Sequence, residues 1–219
     1  MKKTCAVLLA VCAGASVAQA VVVNAPDGSA PWLGFMNVFN RPADGGAFQF
    51  ASGWGVGDLS ASFSPTQLTL TPNSIGDPNS YWYLPSGGPG SAGNKIMEAN
   101  LYIETVDVLN GQTVNFQGTV LSNTLTSAHV TNAFIRDFAP DFSSFNETLV
   151  QLTGTGAFSI SLATDPGLGR RVQYGFQTVG VNVWVTDLAP FGNVVIAVPA
   201  PASLALVGIG GIFAGRRRR

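Results

Sequence analysis

The sequence predicts an all-β chain folded as an antiparallel β-sandwich of jelly-roll type, on three observations. Charged residues make up only 11% of the 219, while glycine, serine, threonine, asparagine and aromatics are abundant, which is the composition of a β protein. Short runs with strand character alternate with turn clusters such as Pro72-Asn73-Ser74 and Pro85-Ser86-Gly87-Gly88-Pro89-Gly90. No amphipathic helix stands out, and no internal period supports a solenoid. About ten short strands joined by polar turns are best accommodated by two packed sheets.

The chain opens with a charged Met1-Lys2-Lys3, a largely apolar stretch over 4–17, and Ala18-Gln19-Ala20. This is the layout of a secretory signal, with signal peptidase cutting after Ala20 to leave Val21 first. A rival reading takes Leu9-Ala10-Val11-Cys12 as a lipoprotein signal, although Val11 is bulkier than the small residue such signals carry. Cys5 and Cys12 both fall in this leader, so the body has neither disulfides nor thiol chemistry. The expected layout is a signal at 1–20, a sandwich at 21–193 and a linker with a Pro-x-Pro motif at 194–201. A transmembrane helix at 202–215 and a basic cytoplasmic tail at 216–219 complete it.

Strands are expected at 47–51, 67–71, 81–84, 133–138, 148–153, 157–163, 171–178 and 181–186. Phe158-Ser159-Ile160-Ser161-Leu162 shows the clean alternation of a half-buried strand. The strongest local signal is at 96–121, where Asn110-Gly111 suits a type I′ turn. A hairpin centred there sets Leu101 against Val120, Ile103 against Gly118 and Thr105 against Phe116 on an apolar side. Tyr102 then faces Thr119 and Glu104 faces Gln117 on a polar one, with Glu98 and Asn100 further along. A slip of one residue would destroy this sorting.

The C-terminus reads Val198-Pro199-Ala200-Pro201, an uncharged stretch from Ala202 to Gly215, and Arg216-Arg217-Arg218-Arg219. Pro201 suits a helix's first turn, and the arginines act as a stop-transfer signal kept in the cytoplasm. The apolar part falls short of the ~20 residues of a full span, which suits a transient anchor. Breaker, glycine-rich apolar stretch and arginine cluster, in that order, resemble the PEP-CTERM sorting tail of bacterial exported proteins. Ala200 stands where that family's name motif has glutamate. The resemblance covers only the last 22 or so residues and implies recognition by a membrane protease of the exosortase type.

Without its two ends the chain keeps five basic residues, Arg41, Lys95, Arg136, Arg170 and Arg171, against all twelve acids, a net charge of −7. Such a surface disfavours nucleic acid and anionic lipid as partners. No catalytic constellation emerges, and the chain reads as a non-enzyme. His129, the single histidine, has no motif around it and is expected at a turn or facing solvent. No G-x-S-x-G is present, and one histidine without mature cysteines makes zinc improbable. Glu98 and Glu104 share a strand face but lie ~20 Å apart at strand rise, too far for glycoside hydrolysis, which needs roughly 5–9.5 Å. Asp137 and Asp141 flank a turn at Pro140, with Arg136 expected to pair with one of them. No cofactor is implied. Asp44-Gly45, Asp77-Pro78-Asn79 and Asp165-Pro166-Gly167 offer hard oxygen ligands for structural calcium, but these residues also make ordinary turns.

Aromatics carry the best binding signal. Tyr81-Trp82-Tyr83, with Tyr102 and Glu104, are the candidate ligand-binding residues; Trp32, Trp54 and the Phe138, Phe142 and Phe145 group are further candidates. Trp184, between two valines, reads as core. Sugar rings stack on exposed aromatic faces while polar groups take their hydroxyls, and the body broadly resembles jelly-roll carbohydrate-binding modules, by fold class and composition alone. The sequence therefore predicts an exported surface or matrix protein, structural or adhesive. Its expected partners are the secretion machinery, signal peptidase, an exosortase-like protease and extracellular polysaccharide. The alternative is a secreted glycan-active enzyme.

Overall fold

A computed structural model describes residues 20–200. The predicted cleavage residue Ala18, the predicted membrane helix, Pro201 and Arg216 to Arg219 lie outside the described residues. In chain order the strands are β1 (Val21–Asn24), β2 (Leu33–Asn40), β3 (Phe48–Trp54), β4 (Ala61–Ser64), β5 (Gln67–Leu70), β6 (Tyr83–Leu84) and β7 (Ala92–Gly93). They continue as β8 (Lys95–Val106), β9 (Thr113–Asn123), β10 (His129–Phe138), β11 (Phe145–Gln151), β12 (Gly156–Ala163), β13 (Arg171–Val181) and β14 (Val194–Ala197).

Two six-stranded sheets pack face to face. In the first, β12 lines one edge of β9, while β1 and β14 share the other and lead on to β5 and β4. The second runs β11-β10-β13-β8-β2-β3. Strand alternation supplies the core: Met97, Ala99, Leu101 and Ile103 point inward from β8, and Val114, Phe116 and Val120 from β9. Phe116 bridges the layers, with its ring 5.5 Å from those of Tyr174 and Phe176. The β-sandwich is as expected, and among its named strands one pairing departs from antiparallel: β1 runs parallel to β9, Val21 opposite Val114.

The hairpin at 96–121 does not form. β8 pairs with β13 and β2, and β9 belongs to the other sheet. Leu101 lies opposite Phe176, and Phe116 opposite Ile160. Residues 107–112 instead arch from one sheet to the other. Leu109 is buried beneath the arch, and the Thr164 hydroxyl donates to the Leu109 carbonyl at 2.6 Å. The Gly111 N–H donates to the Asp165 carbonyl, so the arch is held by the β12–β13 connection rather than by its own flanking strands. The inward and outward faces of β8 and β9 are nonetheless those the alternation predicts. Two apolar faces that meet across a core give the same sequence pattern as two lying side by side.

Other boundaries also shift. The segment at 194–197, expected as linker, is a central strand between β5 and β9. Val194 and Ile196 are fully buried, and the N–H of buried Val198 donates to the Thr66 carbonyl. The strand expected at 181–186 ends at Val181 and gives way to a 3-10 turn at Val185–Asp187. Only Tyr83–Leu84 of the 81–84 strand pairs, with β7. His129 is buried rather than solvent-facing: its Nε2 lies 2.8 Å from the Val181 carbonyl oxygen, its Nδ1 has no partner, and Phe191 meets the ring edge-on.

Candidate functional site

Because β8 faces the core with its odd-numbered apolar residues, it presents Glu98, Asn100, Tyr102 and Glu104 on the opposite face of its sheet. Neighbouring strands continue that face with Phe35 and Asn37 from β2, Gln173 and Gln177 from β13, and Asn132, Phe134, Arg136 and Phe138 from β10. The β10–β11 turn adds Phe142, and the start of β11 adds Phe145, at one side. All of these but Gln177, Asn132 and Phe134 line a cleft of about 520 Å³.

Two hydrogen-bonded groups, one around Asn100 and one around Glu104, underlie its polar floor. Arg136 donates to Asn100 Oδ1 at 2.8 Å and to Glu147 Oε1 at 2.6 Å. Gln177 also donates to Asn100 Oδ1, and Asn132 donates to Gln177. Asn37 donates to Glu98 Oε1 at 2.7 Å. Glu104 accepts from Arg171 at 2.7 Å and from Gln173 at 2.8 Å. These bonds hold the side chains in place, although the buried Arg171 Nε has no partner; a buried group left without one costs its full desolvation. Asn100, Gln173 and Gln177 are buried on a sheet face that fronts solvent, so the cleft is preorganised.

Aromatic rings supply the walls. Phe138 stacks obliquely on Phe145 at 4.9 Å and on Phe142 at 5.5 Å. Phe142 and Phe145 are each 52% exposed, an arrangement a monomeric protein seldom leaves uncovered without use. Tyr102 sits deeper and is almost buried. Burial first, and then the Glu104 charge, raise its phenol above the usual range, with Arg136 opposing, so at neutral pH it remains a neutral hydroxyl donor. Gly175 lies between Phe134 and Tyr102 on the floor. A Cβ there would run into the Leu101 carbonyl and the Tyr102 backbone, so the strands can approach this closely only with glycine.

The five sequence-predicted ligand residues are therefore split. Tyr102 and Glu104 line the cleft. Tyr83 is fully buried, and its hydroxyl donates to the Ile75 carbonyl at 2.7 Å and accepts from the Ile75 N–H. Trp82 is half-buried, packed on Phe50 and Tyr81. Tyr81 lies under the Lys95 ammonium, 4.4 Å from its ring centre. Tyr83 is thus a core residue, and Tyr81 and Trp82 lie half-buried beside it, away from the cleft. Trp184 is half-buried against Tyr83. Trp32 is core, with its indole N–H donated to the Asp27 carbonyl, and Trp54 is half-buried with its indole N–H on Ser52.

Sequence reading missed Phe35, Asn37, Arg136 and Gln173 in the cleft. The first two needed β2 to be recognised, and alternation in Leu33-Gly34-Phe35-Met36-Asn37-Val38 could have revealed it. Arg136 pairs with Glu147, not with Asp137 or Asp141. Asp137 points into the fold, fully buried, where Arg170 grips it at 2.9 Å and the Asp165 N–H donates to it at 2.6 Å. Asp141 caps the Ser143 N–H. In the loops considered for calcium, Asp44 pairs with Arg41, Asp165 with Arg170, and Asp77 accepts from the Asn79 N–H. Among the described residues no group of three or more metal-ligating side chains converges.

Both ends of the predicted processing apparatus reach the described body. Ala20 is exposed, and Val21, the expected first residue after cleavage, begins β1. Of the sorting motif, Val198 is locked into the fold while Pro199 and Ala200 are exposed. No curated protein and no solved structure matches the chain. Residues 197–219, from the last residue of β14 to the final arginine, match the PEP-CTERM protein-sorting motif, which marks this as an exported protein anchored at a membrane for exosortase-type sorting.

Proposed function

We propose that the sorting tail delivers a non-enzymatic, structural or adhesive protein to the cell envelope or extracellular matrix, where the cleft on the second sheet binds polysaccharide. The observation that carries this reading is the cleft's composition: exposed phenylalanine faces stand over a floor of amides, carboxylates and one guanidinium already fixed in place. Aromatic faces take up the apolar side of a sugar ring, and oriented polar groups take its hydroxyls. The net charge of −7 on the body favours a neutral glycan over an acidic one.

A glycan-active enzyme is the second reading, favoured by the presence of two carboxylates, Glu98 and Glu104, in one aromatic cleft. Six residues of extended strand hold their backbones about 20 Å apart, and Glu104 is engaged by Arg171 and Gln173. This arrangement suits binding better than hydrolysis, which needs a separation below roughly 10 Å.

Glycan-array binding of residues 21–198, followed by titration of the best neutral oligosaccharide, tests the proposal. Phe142→Ala and Phe145→Ala should each weaken binding by about 1–2 kcal/mol, the scale of burying part of an aromatic face. Trp82→Ala should leave affinity unchanged in whatever fraction folds. Binding that survives both phenylalanine changes, or cleavage of the oligosaccharide that Glu98→Gln abolishes, would overturn it.

A further inference from the structure

We infer that one end of the sandwich, formed by the loops at 107–112, 139–144 and 164–170, rests on the lipid bilayer while the tail is anchored. The inference rests on the membrane-anchored reading of the tail and adds which surface of the body meets the membrane.

The strand directions point both chain ends the same way. β1 enters with Val21 opposite Val114, one residue from the start of β9. The expected signal segment, which immediately precedes Val21, therefore joins the body at the end where the 107–112 arch leads into β9. β14 runs antiparallel to β9, from Val194 opposite Asn123 to Ile196 opposite Val120, and so heads for that same end. Its edge of β9 is then taken by β1, so the chain leaves the sheet at exposed Pro199.

The tether is short. Seven strand residues from Val120 to Thr113 span about 23 Å, with the loops projecting beyond. Six residues from Ile196 to Ala202, where the apolar tail stretch begins, reach at most about 20 Å. An anchored tail therefore cannot hold that end of the body clear of the headgroups.

The end itself has the matching surface. Val108 is 63% exposed, Leu168 87% and Phe142, which also walls the cleft, 52%, and the nearby ends of β1 and β8 expose Val22 and Val106. The loops that carry these tips are bonded to one another rather than loose. The Asp107 N–H donates to the Arg170 carbonyl, the Gly169 N–H to Asp107 Oδ1 and Asn110 Nδ2 to the Gly167 carbonyl. Arg171 lies over the Phe142 ring, 5.1 Å from its centre. Exposed Asp107, Asp141 and Asp165 share this end with Arg170 and Arg171, so it lacks the basic excess that draws proteins to anionic lipid. The partner is a zwitterionic or neutral bilayer surface, entered only by apolar loop tips.

The test uses residues 21–219, the mature chain expected after cleavage, which has no cysteine of its own, so that a single introduced thiol carries an environment-sensitive nitrobenzoxadiazole label. Labels are placed at Val108→Cys, at Leu168→Cys, or at exposed Ala43→Cys. Ala43 lies in the turn after β2, whose Asn40 pairs with Lys95, at the opposite end of the body. In phosphatidylcholine vesicles containing nitroxide lipid, labels at 108 and 168 should shift to the blue and be quenched, and the label at 43 should remain in water. If the chain resists carbonate extraction but labels 108 and 168 are as wet as label 43, the inference falls alone. If carbonate releases the chain, the anchored reading falls with it.

Discussion

His129 shows how much a single buried residue decides. Its ring sits between β13 and Phe191 with one nitrogen on the Val181 carbonyl and the other unpartnered. Burial lowers its pKa below the ordinary 6.5, with the Val181 contact opposing. The unfolded chain therefore binds the proton more readily than the folded one, and stability falls as pH drops through about 6.5. It levels off once pH lies below the folded-state value. His129→Gln keeps a donor for Val181 without a titrating group, so it should cost about 1 kcal/mol at neutral pH, the scale of one altered hydrogen bond. Urea midpoints at pH 7.5 and 5.5 should separate for the natural chain and converge for the variant; an equal drop in both would assign the acid sensitivity elsewhere. Nothing in Thr126-Ser127-Ala128-His129-Val130 distinguishes a turn histidine from a buried one. What buries it is its place opposite Gly180, where the absent side chain leaves room for the imidazole, and that neighbour is 51 residues away in sequence.

At the scale of the element, β14 is the piece whose loss the fold cannot absorb. Val194, Ile196 and Val198 are buried, and each fully buried aliphatic side chain contributes about 1.5–3 kcal/mol. Their sum rivals the entire 5–15 kcal/mol by which a domain of this size is stable. A body cut at residue 193 also opens the edges of β5 and β9, inviting intermolecular pairing. Residues 21–193 should therefore aggregate or melt far below residues 21–198, as thermal unfolding followed by circular dichroism would show; matched melting temperatures would refute a structural role for β14. The sequence misled here because Val194-Val195-Ile196-Ala197 adjoins the Pro-x-Pro motif and reads as its lead-in. Alternation did place the faces of β8, β9 and β12, because period two survives any choice of partner. Pairing did not follow from it, since local pattern says nothing about whether β8 and β9 join side by side or across the core. The cleft inherited both outcomes: Tyr102 and Glu104 were legible from the polar face of β8, but their companions from β2, β10 and β13 arrive through long-range register.

For the whole molecule, the decisive feature is that the sorting signal starts inside the fold. The matched segment begins at Ala197, which pairs with Gln67, and Val198 is bonded to Thr66. The first exposed residues of the motif are therefore Pro199 and Ala200, and a processing enzyme must work close against the body. Proline at 199 cannot donate a further ladder bond, which ends β14 where the sheet edge is already occupied by β1. Anchoring and recognition should separate in two variants of the full chain. Replacing Arg216 to Arg219 with serine removes charges that each cost about 2.5–3.5 kcal/mol to place at a membrane centre. The apolar stretch alone is too short to resist passage, so this variant should be released unprocessed into the medium. Pro199→Ala with Pro201→Ala leaves the stop-transfer charges intact, so that chain should stay in the membrane fraction but mature slowly or not at all. Val198 remains docked in both variants, so a change in the body's melting temperature is not expected and can be checked on the recovered protein. Fractionation of membranes and medium, with mass analysis of the C-terminus, reads both outcomes. An arginine variant that anchors and matures like the natural chain would show that charge is not what holds the tail, and a proline variant processed at the normal rate would show that the motif is not what the enzyme reads.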